Sequence, residues 1–139
     1  MEIVSFDIAK KLKEKGFTIS TKDIIGMYNE LGVFHTLTTS ADYITCDNNV
    51  KYRCYYNYDD FDDNDFVAPT VSQALKWLRE NHKLDISTKP YPCEDGVMWE
   101  YEVRCCSPIL VFVIVNKTGF KKPEQAALTA IDYVLDNLI

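Results

Sequence analysis

Three groups of residues have types and spacing that could do chemistry. The first pairs a thiol with an imidazole: Cys46, Cys54, Cys93, Cys105 and Cys106 stand against His35 and His82. A neighbouring His can activate a thiol as a nucleophile. Nothing in the spacing brings either His to a Cys, however, and a buried small hydrophobe is the simpler role for each thiol. His82 falls where a helix should end, a place that suits partial positive charge. The second group is Glu100 and Glu102. On a strand they share one face at about 7 Å, a separation that glycoside-hydrolysing carboxylate pairs use. With Arg104 next in the row, they read more simply as the polar outer side of that strand. The third is the acidic run Asp59-Asp60-Phe61-Asp62-Asp63-Asn64-Asp65. It has the oxygen ligands of a calcium loop, but counting from Asp60 the sixth position is Asp65 instead of Gly and the twelfth is Val71 instead of Glu. It reads as a solvated loop. The sequence therefore predicts no catalytic residue, no metal ligand and no cofactor.

Two further groups have the chemistry of binding. Tyr52, Tyr55, Tyr56, Tyr58 and Phe61 lie beside Asp62 and Asp63. Aromatic rings next to negative charge suit a basic, amphipathic protein partner, although the same rings could simply cover a sheet face. Lys117, Lys121 and Lys122 precede the last helix, where they could meet phosphates. Pro123 and Glu124 stand where more basic residues would be wanted, and the formal net charge of −6 argues against an extended phosphate-binding surface.

The elements that must position these groups follow from length and periodicity. The 139 residues fit one domain, and 47% hydrophobic content is enough for a core. Five cysteines without regular spacing or C-x-x-C make a poor disulfide framework, so they read as reduced thiols. The first residues hold no apolar run long enough for a signal peptide, and no run of about 18 apolar residues could span a membrane. The expectation is a soluble cytoplasmic protein.

Ser5 is placed to cap a helix across 3–16 that Gly16 ends. Residues 24–37 fit either a helix or a hairpin about Asn29-Glu30-Leu31-Gly32, and the β-branched and aromatic residues that follow favour the hairpin. Strand character continues to Tyr58, giving hairpins over 24–58, and an acidic loop fills 59–68. Thr70 and Gln73 have capping-box spacing for a helix over 70–82. Strands are expected at 84–89, 97–105 and 109–116, with a Pro- and Gly-containing loop between the first two. A helix over 123–138 carries Ala126, Ala127, Ala130, Ile131, Val134, Leu135 and Leu138 at helical spacing. Ile109–Val115 is apolar without interruption, which predicts a central strand covered on both faces. Short connections make the three strands antiparallel neighbours, and both helices can lie on one face. The fold class is α+β: an antiparallel sheet in an α-β-β-β-α C-terminal unit, preceded by a helix and short hairpins.

Three stretches carry a resemblance. They are Val4-Ser5-Phe6-Asp7-Ile8-Ala9-Lys10-Lys11-Leu12-Lys13-Glu14-Lys15-Gly16-Phe17, Ala68-Pro69-Thr70 through Trp77-Leu78-Arg79-Glu80, and Ala127 through Leu135-Asp136-Asn137-Leu138-Ile139. Together they resemble a set of small uncharacterised proteins from gut anaerobic bacteria, their prophages and mobile elements. That family supplies no activity and no site residues; its segment after the first helix is usually a tyrosine-rich hairpin. The setting implies a non-catalytic accessory protein that binds another protein. The alternative is a nucleic-acid-binding module, because helix, three strands, helix is the order of a double-stranded-RNA-binding domain. A homodimer through an exposed strand edge is a further option.

Overall fold

The computed structural model describes residues 2–37 and 61–139. Helix α1, Phe6–Glu14, begins where the Ser5 hydroxyl accepts the Ile8 N–H at 3.3 Å. It ends before Gly16, whose φ of 84° is the left-handed turn that stops it. A chain reversal follows through β1, Gly26–Tyr28, and β2, Phe34–Thr36, which pair antiparallel. The hairpin reading of this region therefore holds. Asn29 closes the turn by accepting N–H bonds from Leu31 and Val33, and Gly32 takes φ 82°. Gly26 is needed in β1 because the Phe34 ring lies on its backbone; a Cβ there would come within 2.3 Å of the ring.

The second side of β1 is taken by β3, Phe66–Val67, so the small sheet has the order β2-β1-β3. These two residues were expected to belong to a loop over 59–68. They form a strand because β1 still has backbone groups to satisfy, and because the Phe66 ring packs edge-on against Phe6 at 5.5 Å. The Tyr43–Tyr58 part of the expected hairpins, and Asp59 and Asp60 of the acidic loop, lie outside the described residues.

Helix α2, Val71–His82, carries the full capping box: Thr70 accepts from the Gln73 N–H and Gln73 accepts from the Thr70 N–H. It leads through Lys83 into β4, Leu84–Cys93, then β5, Gly96–Cys106, and β6, Val111–Phe120. Helix α3, Pro123–Asn137, closes the chain. The three strands form a second antiparallel sheet in the order β4-β5-β6. The α-β-β-β-α unit is present in the order expected.

Two expectations about this sheet are corrected. The loop expected from Lys89 to Gly96 is strand as far as Cys93, paired residue by residue with Gly96–Trp99 at its end. Pro90 and Pro92 are tolerated because β4 is an edge strand, where a missing N–H costs no ladder bond. The central strand is β5, and the run at Ile109–Val115 is the opposite edge. Sequential short connections put the middle strand of three in the middle of the sheet.

One core unites the layers. Leu84, Ile86, Tyr101 and Val103 face Val71, Ala74, Trp77 and Leu78 of α2 and Ala126, Ala130, Ile131, Val134 and Leu135 of α3, with Val4, Ile8 and Leu12 sealing one end. Trp77 and Leu135 are buried as their spacing predicts, while Trp99 stays half-buried at the sheet's far end. Tyr101 is 1% exposed, and its hydroxyl has no hydrogen-bond partner among the described residues. An unsatisfied buried hydroxyl costs about 1–3 kcal/mol. Replacing Tyr101 with Phe keeps the ring and removes that cost, so Tyr101→Phe should raise the urea midpoint by the equivalent of about 1 kcal/mol. A lowered midpoint would show that the hydroxyl has a partner.

Candidate functional site

Along β6 and the turn before it, Ile109, Leu110, Val111, Phe112, Val113 and Ile114 are 36–95% exposed. The turn is built locally. The Ser107 hydroxyl accepts the N–H groups of Ile109 and Leu110, and the Ser107 N–H donates to the Leu110 carbonyl. This leaves Ile109 standing out from the surface. In β6 itself, Phe112 lies opposite Cys105, Val113 opposite Arg104 and Val111 opposite Cys106. Directly opposed residues share a face, so apolar side chains project on both faces of the strand. Ile114 has no Cα partner, because the register shifts by one between Val103 and Arg104. That shift is a β-bulge and bends the edge there.

The exposure has a topological cause. Helices α2 and α3 pack over β4 and β5, and only Val115 and Phe120 of β6 reach the core from its rim. No strand among the described residues pairs with the far side of β6. Alternate N–H and C=O groups of an edge strand point away from its sheet. The edge from Val111 to Val115 therefore combines open backbone hydrogen-bonding capacity with apolar side chains and no charge.

The opposite edge differs in every respect. β4 carries Asp85, Lys89, Pro90 and Pro92, which are the charges and imino acids that discourage strand addition. The outer face of β4 and β5 also holds an ionic cluster. Glu102, 9% exposed, accepts from Arg104 at 2.8 Å and from Lys89 at 3.4 Å, and Arg79 reaches Asp85 at 3.5 Å. The Arg104 hydrogen bond chiefly, with Lys89 behind it, lowers the Glu102 pKa below the ordinary carboxylate value against the opposing effect of burial. Glu102 is thus a fixed counter-ion, and Glu100 stands half-buried one pair away, opposite Lys89.

The residues singled out by sequence fall in several places. Tyr52, Tyr55, Tyr56 and Tyr58 lie outside the described residues. Phe61 is half-buried, its ring 5.9 Å from that of His35. Asp62 and Asp63 are exposed in a turn that folds on itself: Asp62 accepts from the Asn64 N–H and Asp65 from the Asp62 N–H. Lys13 of α1 donates to the Asp63 and Asp65 carbonyls and lies 4.8 Å over the Phe66 ring. Lys117, Lys121 and Lys122 are all exposed, the first within β6 and the other two in the turn before α3. The structure does not draw the acidic turn and these lysines together. It adds a surface that sequence reasoning placed inside the core.

Of the thiol and imidazole candidates, Cys46 and Cys54 lie outside the described residues. Cys93, Cys105 and Cys106 carry free thiols on β4 and β5. His82 packs its ring edge-on against Trp77 at 4.8 Å, and His35 lies beside Asn29 at 3.4 Å. An open groove of about 620 Å³ runs between α1 and α3. Lys11 beside it bridges Asp132 at 2.6 Å and Asp136 at 3.0 Å, and Lys10 meets Asp7 at 3.3 Å. The hydrogen bond to Asp132 foremost, then that to Asp136, raises the pKa of the Lys11 ammonium.

Comparison with known protein families, curated proteins and solved structures finds no match.

The Glu102 cluster has a pH signature. A carboxylate whose folded-state pKa is lowered contributes stability above its unfolded pKa of about 4.3, and that contribution is lost as pH falls through the folded value. Thermal melts from neutral pH down through the carboxylate range should show the wild type losing stability more steeply than Glu102→Gln below about pH 4.3. Parallel curves would show that the cluster contributes nothing.

Proposed function

We propose that this chain is a non-catalytic accessory protein that binds another polypeptide by accepting a strand along β6. The observation that carries the reading is the contrast between the two edges of one sheet. β4 is blunted by Asp85, Lys89, Pro90 and Pro92, whereas Ile109–Ile114 is apolar, uncharged and exposed. Natural edges are protected unless something is meant to pair with them. Strand addition supplies main-chain hydrogen bonds for affinity and side-chain contacts on alternate residues for specificity. The incoming strand comes either from a different protein or from a second copy of this chain. The resemblance of the α1, α2 and α3 stretches to proteins of gut anaerobes, their prophages and mobile elements supports a phage or mobile-element origin and a cytoplasmic setting.

The alternative is nucleic-acid binding by Lys117, Lys121 and Lys122. The α-β-β-β-α order favours it, and the net charge of −6 opposes it.

One pair of experiments separates the two. Val111→Lys combined with Val113→Lys places ordinary gatekeeper residues on exposed positions. The double variant should melt within a few degrees of the wild type and lose a protein captured from extracts of the native host. Capture that is indifferent to this pair would refute the edge reading. A gel shift that weakens steeply between low and moderate salt, and disappears in Lys121→Glu plus Lys122→Glu, would favour the nucleic-acid alternative.

A further inference from the structure

We infer that the strand added to β6 is β6 of a second copy, the two running antiparallel about a two-fold axis through Phe112. This rests on the edge reading above and specifies its occupant. A two-fold interface uses the same patch twice, so the patch must be complementary to itself.

The edge meets that condition in the register centred on Phe112. Centring the axis on Phe112 places Phe112 opposite its symmetry mate, Val111 opposite Val113, Leu110 opposite Ile114, and Ile109 opposite Val115. Every one of these pairs is apolar. Lys117, the one charged residue between Ser107 and Phe120, falls opposite Ser107, so no like charges are opposed. The irregular positions also fall outside the central ladder. The bulge at Ile114 and the Ser107–Leu110 turn lie beyond the regular stretch Val111–Val113, whose residues pair with Arg104, Cys105 and Cys106 on the other side. Moving the axis to Ile114 would put the bulge at the centre, where the ladder must be continuous.

Area points the same way. Ile109–Ile114 present on the order of 500 Å² of apolar surface, near the top of the range of about 300–600 Å² for the largest patch on a monomer. Two such patches meeting remove at most on the order of 1,000 Å², where specific interfaces begin. Phe112 stands on the helix-covered face, opposite Cys105, and is 47% exposed. Its symmetry mate would cover its open side and join the two cores across a six-stranded sheet.

The opposing term is charge. Two copies each at −6 repel, and the edge itself is neutral. Salt screens that repulsion, so the dimer should tighten as ionic strength rises.

Sedimentation equilibrium on the full chain, from micromolar to submillimolar concentration, tests the inference. The wild type should show a reversible monomer–dimer equilibrium, with the outward amides of Val111–Val113 protected from hydrogen exchange only at dimeric concentrations. Val111→Lys and Val113→Glu should each weaken the dimer about tenfold or more, since each puts a charge into an apolar pair. Mixed together they should associate more tightly than either alone, because Val111→Lys then faces Val113→Glu across the axis. Both positions are exposed, so folding is preserved, and far-UV circular dichroism and melting of each variant confirm it. A wild type that stays monomeric overturns the inference. So does a dimer that ignores both substitutions, or a mixture no tighter than its components. A monomer whose host partner is still lost in the Val111→Lys, Val113→Lys variant overturns the second copy and leaves the edge reading standing; a monomer with no edge-dependent partner removes both.

Discussion

The close approach of α3 to β4 and β5 sets the rest of this structure. Ala126, Ala127 and Ala130 present methyl groups where larger side chains would hold the helix away. Leu84, Ile86, Tyr101 and Val103 therefore meet Ile131, Val134 and Leu135 directly. Helix α2 fills the remaining face beside β4, with Trp77 and Leu78 as its anchors. Two helices at the usual spacing of about 8–10 Å cover roughly four strand widths at 4.8 Å only when both are centred on the sheet. Here both are drawn toward β4 and β5, and α1 seals the end of the core near α3. The third strand is left at the rim. Its exposure follows from where the alanines are.

Much of this arrangement is legible in the residues, because local signals name local structure. Ser5, Thr70 with Gln73, and Gly16 mark helix ends through backbone groups that need partners. Asn29 and Gly32 mark a turn through the bonds Asn can make and the φ Gly can take. The alternation of Trp99, Tyr101 and Val103 with Glu100, Glu102 and Arg104 names the central strand. What the residues do not name is burial that depends on a neighbour. An uninterrupted apolar strand such as Ile109–Val115 reads the same whether helices cover both faces or nothing covers its edge. The order of three short-linked strands already implied the second. Likewise Pro90 and Pro92 signal a loop locally and are permitted in β4 only because it is an edge. Glu102 looks like an outward residue and is largely covered, because Lys89 and Arg104 reach it from two strands.

The aromatic and acidic stretch is legible in composition, and most of its rings, Tyr52, Tyr55, Tyr56 and Tyr58, lie outside the described residues. The aromatic and acidic stretch drew attention because Tyr and Asp are the vocabulary of binding surfaces. In the described part of it, Asp62 and Asp65 are occupied with their own backbone, and Lys13 ties the turn to α1. The apolar run drew attention as core, and its side chains are the ones left in water.

An apolar edge has to be specific as well as sticky, and the two features that interrupt β6 supply that. The bulge at Ile114 bends the strand, and Gly119, at φ 100°, ends its regular course beside a Tyr91 hydroxyl that accepts its N–H. Lys117 charges the same half. Only the short stretch around Phe112 offers a straight ladder, so a strand that pairs there must stop within a few residues on either side. Long, indiscriminate cross-β stacking needs an edge that is flat and repetitive; this one is curved and short. The same interruptions favour a partner whose own irregularities fall at matching distances from the centre. A strand related by a two-fold axis meets that requirement by symmetry, since its bulge and its turn lie as far from Phe112 as those it must avoid.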